Sequence, residues 1–459
     1  ITISGFLNAE DPLSTANALN QISDSIQING NEVIIKERTI EPKNPENPID
    51  LGNSGTGMRL MFGLISGLGI EATLIGDDSL SNRPMKRVAD PLKEMGALNN
   101  LNRGGTPPIE ISKGKIIDDF VYEMPVPSAQ VKSSIMIAAI AAKKGVTVIE
   151  ENPTRNHTER MIEYFKGNIE ILPIWCDESK SLNSFMGNKI VYKPRELISI
   201  EHYDVVGDFS SASFLIVAGL ISKSGKLIIK NVGLNPSRSL LIKILKLMGG
   251  NVSISNKRMV SNEEVGDITA SPSKLKGFNI SHLVGEVRAD HVIPNIIDEI
   301  PILCIAAAFA EGSTILGDLE ELTIKESNRL AAICDGFDAI GIKYFSDRDK
   351  LISDLSVNES NKGVISESLH KIKNADDFVN AWKDRVLTLN LPQHFFTKPE
   401  FLDMFIDASF PITWDWETDI CVLLNCLDNA DFIEKIIERG QMRIILFEPN
   451  KSIKKKLKL

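Results

Sequence analysis

The 459-residue chain is short of the features that most directly betray a chemistry. Its five cysteines (Cys176, Cys304, Cys334, Cys421 and Cys426) are scattered and form no CxxC pair. An odd, unpatterned count argues against a disulfide framework and a zinc site, and fits reduced thiols in the cytoplasm. The GxGxxG and GxxxxGK(S/T) templates find no convincing match, and neither a Ser-His-Asp order nor a metal-ligand cluster is present. No metal and no cofactor are therefore expected. Long hydrophobic runs are absent too: the stretch around Ile300 to Ala310 is too short to span a bilayer and contains Pro301. Positive charge is in deficit, with a net charge of −10, which argues against broad nucleic-acid or membrane-surface binding while leaving room for a local basic pocket. The chain begins at Ile1 without a methionine, so its natural N-terminus, with any targeting segment, is expected to be missing.

What is present is ordinary globular composition, 43% hydrophobic and 24% charged, in a chain long enough for roughly two to four domains. A block recurs along it: a small-residue start, an apolar helix, a glycine and a short β-branched strand. Copies run from Ser54 to Gly76, Ser128 to Glu150, Ser210 to Lys230 and Asp298 to Gly317, with strand parts EATLI, VTVIE, KLIIK and STILG. Each leads through a polar loop into a second, amphipathic helix that ends at Gly96, Gly167, Gly249 or Gly341. A partial copy lies at Asp11 to Asn31. The first helix of each block is apolar nearly all round, so it should be buried, and alternations such as GNVSISNKRMVSN read as antiparallel strands. The repeat is about 70 to 90 residues long, too long for a solenoid and right for a β-α-β-α-β unit.

The regularity stops near Ile342. From Tyr344 onward the chain carries three of its four tryptophans, a phenylalanine-rich stretch, helix candidates at Asp376 to Arg385 and Asp431 to Arg439, a strand-like MRIILFE, and a basic end, KSIKKKLKL, that reads as a solvated terminus.

The stretch from Leu51 to Arg87 is where chemistry is easiest to imagine. Gly52-Asn53-Ser54-Gly55-Thr56-Gly57 abuts an apolar helix, and Arg59 and Arg83 bracket it. Such a turn is either plain structure or an anion cradle, because glycines let backbone N–H groups approach a ligand and a helix start is partly positive. Cations recur in the equivalent loops: Lys86 and Arg87, Lys132 and Arg155, Arg238, Lys325 and Arg329. Those beside Gly, Ser and Thr at helix starts imply a substrate with several negative charges. Asp298, just before an apolar helix, reads as a capping residue or a general base. Glu326 reads as half of an exposed salt bridge or a proton-transfer group, and His157 as a structural hydrogen-bonding residue or a neutral-range titrating group.

Taken in order, LGNSGTGMRL, RPMKRVADPLKEMGA, VPSAQVKSS, TRNHTERM, GDFSSASF, NPSR, IDEIPILCIAAAFAEG and LEELTIKESNRLAA resemble 5-enolpyruvylshikimate-3-phosphate synthases (3-phosphoshikimate 1-carboxyvinyltransferases), in the form of the second bacterial subtype, over about residues 1–342. The resemblance implies a two-domain inside-out α/β barrel of repeated β-α-β-α-β-β units around parallel internal helices. It divides the chain into a substrate domain at 1–205 that is truncated at its N-terminus, an incomplete second domain at 206–342, and an unrelated α/β-like tail at 343–459. It implies transfer of the enolpyruvyl group of phosphoenolpyruvate to the 5-hydroxyl of shikimate 3-phosphate with release of phosphate. Carried over by motif, Ser128, Ala129, Gln130, Arg155, Asp298 and Lys325 would hold shikimate 3-phosphate, and Asn53, Gly55, Arg83, Gln130 and Arg329 phosphoenolpyruvate. Asp298 would accept the 5-hydroxyl proton, and Glu326 would move a proton at the methylene carbon. The glycine at 55 implies room for inhibitors bulkier than phosphoenolpyruvate, such as glyphosate. A cytoplasmic monomer acting on small anionic molecules, without nucleic acid or membrane as partner, is expected.

Two departures bear on activity. The family's early lysine-serine-arginine motif does not precede the first strand, and its His-Gly-Asp-His-Arg stretch and later lysine do not occur after Ile342. One preorganised charge contact is worth about 10²–10³ in rate, so the chain is expected to be a fragment joined to an unrelated tail and inactive or nearly so. The alternative to an enzyme is a dead fragment or binding protein that keeps only the shikimate 3-phosphate half-site. The sister transferase acting on UDP-N-acetylglucosamine needs a cysteine in a glycine-rich loop, and none lies between Ile1 and Trp175.

Overall fold

The computed structural model describes residues 1–354 and 444–447, apart from 37–40, 177–184, 196, 199, 223–224, 284–291, 318, 320–321, 324–327, 340–343 and 348–349. The chain divides into two compact units, residues 1–205 with 260–263, and residues 206–259 with 264–459. Each has its own apolar core.

One plan is repeated. In the first unit, β1 (Thr2–Ser4), α1 (Glu10–Ser23), β2 (Ile26–Asn29) and β3 (Glu32–Ile35) form the partial copy. The first complete copy is β4 (Ile49–Asp50), α2 (Gly55–Leu68), β5 (Ala72–Ile75), α3 (Lys86–Glu94), β6 (Leu98–Leu101) and β7 (Ile109–Ser112). The next is β8 (Phe120–Glu123), α4 (Ala129–Ala142), β9 (Val146–Glu150), α5 (His157–Tyr164), β10 (Asn168–Trp175) and β11 (Phe185–Lys193). In both, the strand before the first helix pairs parallel with the strand after it, and the closing hairpin pairs antiparallel, giving the sheet orders β4-β5-β7-β6 and β8-β9-β11-β10. With β12 (His202–Asp204) parallel to β1, the first sheet takes the same order, β12-β1-β3-β2.

The second unit repeats the plan with α6 (Phe209–Ile221), β13 (Lys226–Gly233), α7 (Leu240–Leu247), β14 (Asn251–Val260) and β15 (Glu263–Ser271). It does so again with α8 (Ile300–Ala308), β16 (Ser313–Leu316), α9 (Arg329–Ala339), β17 (Tyr344–Asp347) and β18 (Lys350–Asp354). The parallel first strands shrink here to single bridges, Gly207 with Val232 and Asn279 with Ile315. The last two strands lie beyond Ile342, where the motif pattern fades in the sequence. β18 pairs antiparallel with β16 and β17 with β18, so the sheet extends the fourth copy to Asp354. The strand read in MRIILFE is β19 (Ile444–Phe447), which pairs antiparallel with β13, Leu446 opposite Leu227. The two helix candidates of the tail lie outside the described residues.

Local chemistry accounts for these elements. Each first helix is buried along most of its surface, as α8 shows with Ile300 through Cys304 and Ala306 through Ala308 all in the core. Pro301 falls in its first turn, where no intrahelical N–H is lost. The second helices bury one stripe only: Val88, Ala89 and Leu92 in α3, and Leu241, Ile242, Ile244 and Leu245 in α7. Strand β9 alternates in burial with period two, as a sheet with one helix-covered face should. Among the described residues no helix is long and apolar enough to cross a membrane.

Helices α2 and α4 pack closely against each other. A Cβ added at Gly63 would sit 2.2 Å from the Ser134 carbonyl oxygen, and one at Gly67 would sit 2.3 Å from that of Ala138. Both neighbours are backbone, which cannot swing aside. Gly63→Ala should therefore destabilise the first unit by about 1–3 kcal/mol, read as a lower urea midpoint. Gly104→Ala, whose new methyl meets only Thr106 at 3.8 Å, should leave that midpoint in place. Equal midpoints for the two variants would refute the close crossing.

Candidate functional site

The close crossing brings two helix starts together in the first unit. At the first, Ser54 caps α2, its Oγ accepting from the Gly57 N–H at 3.0 Å. The N–H groups of the opening turn have no partner inside the helix. Asn53, just ahead, is held from both ends: its Nδ2 donates to Asp77 Oδ2 at 2.6 Å and its Oδ1 accepts from Arg83 Nη2 at 2.5 Å. Asp77 Oδ1 also accepts from the Leu80 N–H at 2.7 Å, which ties the loop carrying Arg83 to the same turn. The second helix start belongs to α4, capped by Ser128 and followed by Ala129 and Gln130. Gln130 links the two, accepting from Arg59 Nη1 at 2.8 Å and donating to Thr56 Oγ1 at 2.7 Å.

Gly55 lies under two guanidinium groups. A Cβ there would be 2.7 Å from Arg83 Nη1 and 3.1 Å from Arg59 Nη1. Arg83 forms no ion pair with a carboxylate among the described residues, and its Nε is buried without a hydrogen-bond partner. Two helix starts, a bare glycine and an arginine whose only described acceptor is a neutral amide make a place where an anion is stabilised from several sides. Asn53, Gly55, Arg83, Ser128, Ala129 and Gln130 are all brought together here.

Arg155 arrives by a different route, on the loop between β9 and α5. Behind that loop lies Lys132, fully buried, whose ammonium pairs with Glu150 Oε2 at 3.0 Å and Glu159 Oε1 at 2.7 Å. Glu150 Oε2 also accepts from the N–H and hydroxyl of Thr154, at 3.1 and 2.9 Å. Lys132 is therefore not a loop cation available to an anionic ligand, as its place among the loop cations suggests. Its charge is neutralised inside the unit. His157 has the structural role: Nδ1 lies 2.7 Å from Glu263 Oε1, which Arg160 also approaches at 3.6 Å.

In the second unit, Asp298 pairs with Arg329, whose Nη1 donates to Oδ1 at 3.1 Å. Asp298 does not cap α8; the residue at the cap position is Glu299, whose side chain makes no capping bond. Asp208 caps α6 through the Ser211 N–H at 2.7 Å. Arg238 is held by Asp208 at 3.4 Å and by the Ser210 hydroxyl, which in turn donates to the buried Glu299. Lys325 and Glu326 lie outside the described residues. Sequence reasoning placed Arg59 beside the candidate anion cradle but carried over no substrate contact for it, although its position four residues past Gly55 puts it on the same helix face. It also missed the two glutamates of Lys132, for which the signal was a charged residue inside an otherwise apolar helix.

Comparison with known proteins gives one consistent answer. The family model described as EPSP synthase (3-phosphoshikimate 1-carboxyvinyltransferase) matches residues 1–373. A 3-phosphoshikimate 1-carboxyvinyltransferase of Petrotoga mobilis is 43% identical over 353 residues, covering 76% of each chain. One from Thermoanaerobacter sp. (strain X514) is 38% identical over 350 residues, 76% of this chain and 77% of that one. A solved EPSP synthase of Acinetobacter baumannii superposes with a TM-score of 0.63 at 35% identity, covering 77% of this chain and 75% of its own.

The buried carboxylates give the first unit a pH dependence. Burial pushes the Glu159 carboxyl above its usual value of 4.5, and the opposing pull of Lys132 does not cancel it. One ammonium serves two carboxylates, and Glu150 has the Thr154 donors besides, so Glu159 is the less stabilised anion. A carboxyl whose pKa is higher folded than unfolded contributes stability that is complete below the unfolded value and is lost as pH rises through the folded one. Glu159→Gln has no proton to lose. As pH rises above the usual carboxyl value of 4.5, the urea-measured stability of the unsubstituted chain should fall relative to that variant. Parallel curves would show that Glu159 does not titrate in this range.

Proposed function

The chain belongs to the EPSP synthase family, and from that premise we propose that it transfers the enolpyruvyl group of phosphoenolpyruvate to the 5-hydroxyl of shikimate 3-phosphate. The observation that carries this reading is the paired helix start with Arg83 over Gly55, a setting for a small polyanion. In this reading Asn53, Gly55, Arg83, Gln130 and Arg329 receive phosphoenolpyruvate. Ser128, Ala129, Gln130, Arg155 and Lys325 receive shikimate 3-phosphate.

Asp298 takes the proton of the 5-hydroxyl as its oxygen attacks the substituted carbon of phosphoenolpyruvate, and the methylene carbon gains a proton to become a methyl group. Glu326 serves that carbon. The tetrahedral intermediate then loses a methyl proton and expels inorganic phosphate, leaving the enol ether. The Arg329 guanidinium, 3.1 Å from Asp298, supports the carboxylate form that the first step needs. Throughout, guanidinium groups and helix starts stabilise charge that is present in the substrates and grows at the departing phosphate. The same reading makes the protein a cytoplasmic monomer with small-molecule partners.

Phosphate release from the two substrates tests the proposal. Release that depends on shikimate 3-phosphate is expected, and Asp298→Asn should lower kcat by about 10²–10⁴. Binding of shikimate 3-phosphate without turnover would instead favour a protein that keeps only that half-site. A finer test is Gly55→Ala. The added methyl meets the mobile ends of two arginines rather than backbone, so the unfolding temperature should hold while the guanidinium groups move. KM for phosphoenolpyruvate should rise by about tenfold or more, and inhibition by glyphosate should weaken. An unchanged KM would take Gly55 out of the site.

A further inference from the structure

A lysine with no exposed surface in the middle of an apolar helix needs a reason. Lys132 is 0% exposed, and its two partners Glu150 and Glu159 are each 2% exposed. Buried ion groups of this kind add little net stability over apolar residues of the same volume, and what they can supply is geometry. Here each member comes from a different element. Lys132 stands one turn past Ser128 on α4, Glu150 ends β9, and Glu159 lies in the first turn of α5. Glu150 reaches on to the loop, through the backbone and hydroxyl of Thr154. Arg155 is the next residue, so it is fixed on one side by Thr154 and on the other by an α5 that Glu159 ties to Lys132. A hydroxyl contact between Ser133 and Thr158, 2.6 Å, draws the same two helices together.

The anchor is closely packed on the strand side. The neighbouring strand passes with Gly187 at φ +122°, where a Cβ would lie 2.1 Å from the Glu150 carbonyl oxygen. The two carboxylates are also unequal. Glu150 has three donors, whereas Glu159 keeps one buried oxygen without a hydrogen bond. Glu150 is thus the more fully hydrogen-bonded of the two, and it is the one that holds the loop.

We propose that Lys132, Glu150 and Thr154 are positioning residues for shikimate 3-phosphate: they lock the Arg155 loop against the start of α4, so that Arg155 and Ser128-Ala129-Gln130 meet one substrate in a fixed arrangement. The inference rests on the reading above that these four residues bind that substrate. The three positioning residues act through them.

Calorimetric titration of the full chain with shikimate 3-phosphate tests this whether or not the chain turns over. Thr154→Val removes one hydrogen bond to Glu150 and keeps the volume. It should weaken binding by about tenfold with the unfolding temperature unchanged, and Thr154→Ser, which restores the hydroxyl, should bind like the unsubstituted chain. Glu150→Gln should weaken binding at least as much; if it fails to fold, the threonine pair decides. Arg155→Ala is the control for the underlying reading. Weaker binding in Arg155→Ala with full affinity in Thr154→Val overturns the positioning role, as does a lower unfolding temperature in Thr154→Val without a change in affinity. Full affinity in Arg155→Ala overturns the reading of the site itself.

Discussion

The arrangement of the first unit depends on how closely α2 and α4 can pack. Gly63 and Gly67 remove the side chains that would hold the helices apart, and the Ser134 hydroxyl, donating to the Arg59 carbonyl at 2.8 Å, locks their register. Both helices are buried, so their polar ends are the parts left to face a ligand. Parallel helices packed this tightly set their N-termini side by side. Gln130 can then hydrogen-bond across to Arg59 and Thr56, and Gly55 can lie beneath two guanidinium groups. The site is a consequence of the core: small residues near the middle of two helices decide what meets at their ends.

The same economy governs the charges. An acidic protein with many arginines and lysines in its loops must keep most of them from acting alone. Lys132 is neutralised by two glutamates, and Arg238 by Asp208 with Glu299 nearby. Arg83 differs in having a neutral acceptor, Asn53. A guanidinium bonded to an amide keeps its full charge for a ligand, whereas one paired with a carboxylate must first give that charge up.

Much of this was legible in the sequence, and for physical reasons. The repeat could be read because a buried helix must be apolar on all sides, and its small-residue start and strand follow at fixed distances; α2, α4, α6 and α8 fall where those patterns lie. The second helices were legible from their single apolar stripe and their glycine ends, with Gly96 and Gly249 taking φ of +100° and +86°. What sequence could not supply was pairing across elements. Glu150 and Glu159 are 18 and 27 residues from Lys132, and no periodicity links them. The same holds for His157 and Glu263, which lie 106 residues apart. The last two strands of the fourth copy were missed at Tyr344 because their motifs differ from those of the other copies, while the order β16-β18-β17 follows the common plan.

The repeats also show how one scaffold yields unlike sites. The start of α2, capped by Ser54, has its counterpart in the start of α6, capped by Asp208, and Arg83 has its counterpart in Arg238, each following the next strand. In the first copy the arginine meets an amide and stands over a glycine. In the third it meets a carboxylate, and the Ser210 hydroxyl near the helix start bonds the guanidinium, with Glu299 behind it. In the third copy the arginine is thus held by side chains of its own unit. The fold offers a helix start and a following arginine in both copies. Whether that pair faces a ligand or is satisfied internally is decided by the two residues that touch the guanidinium.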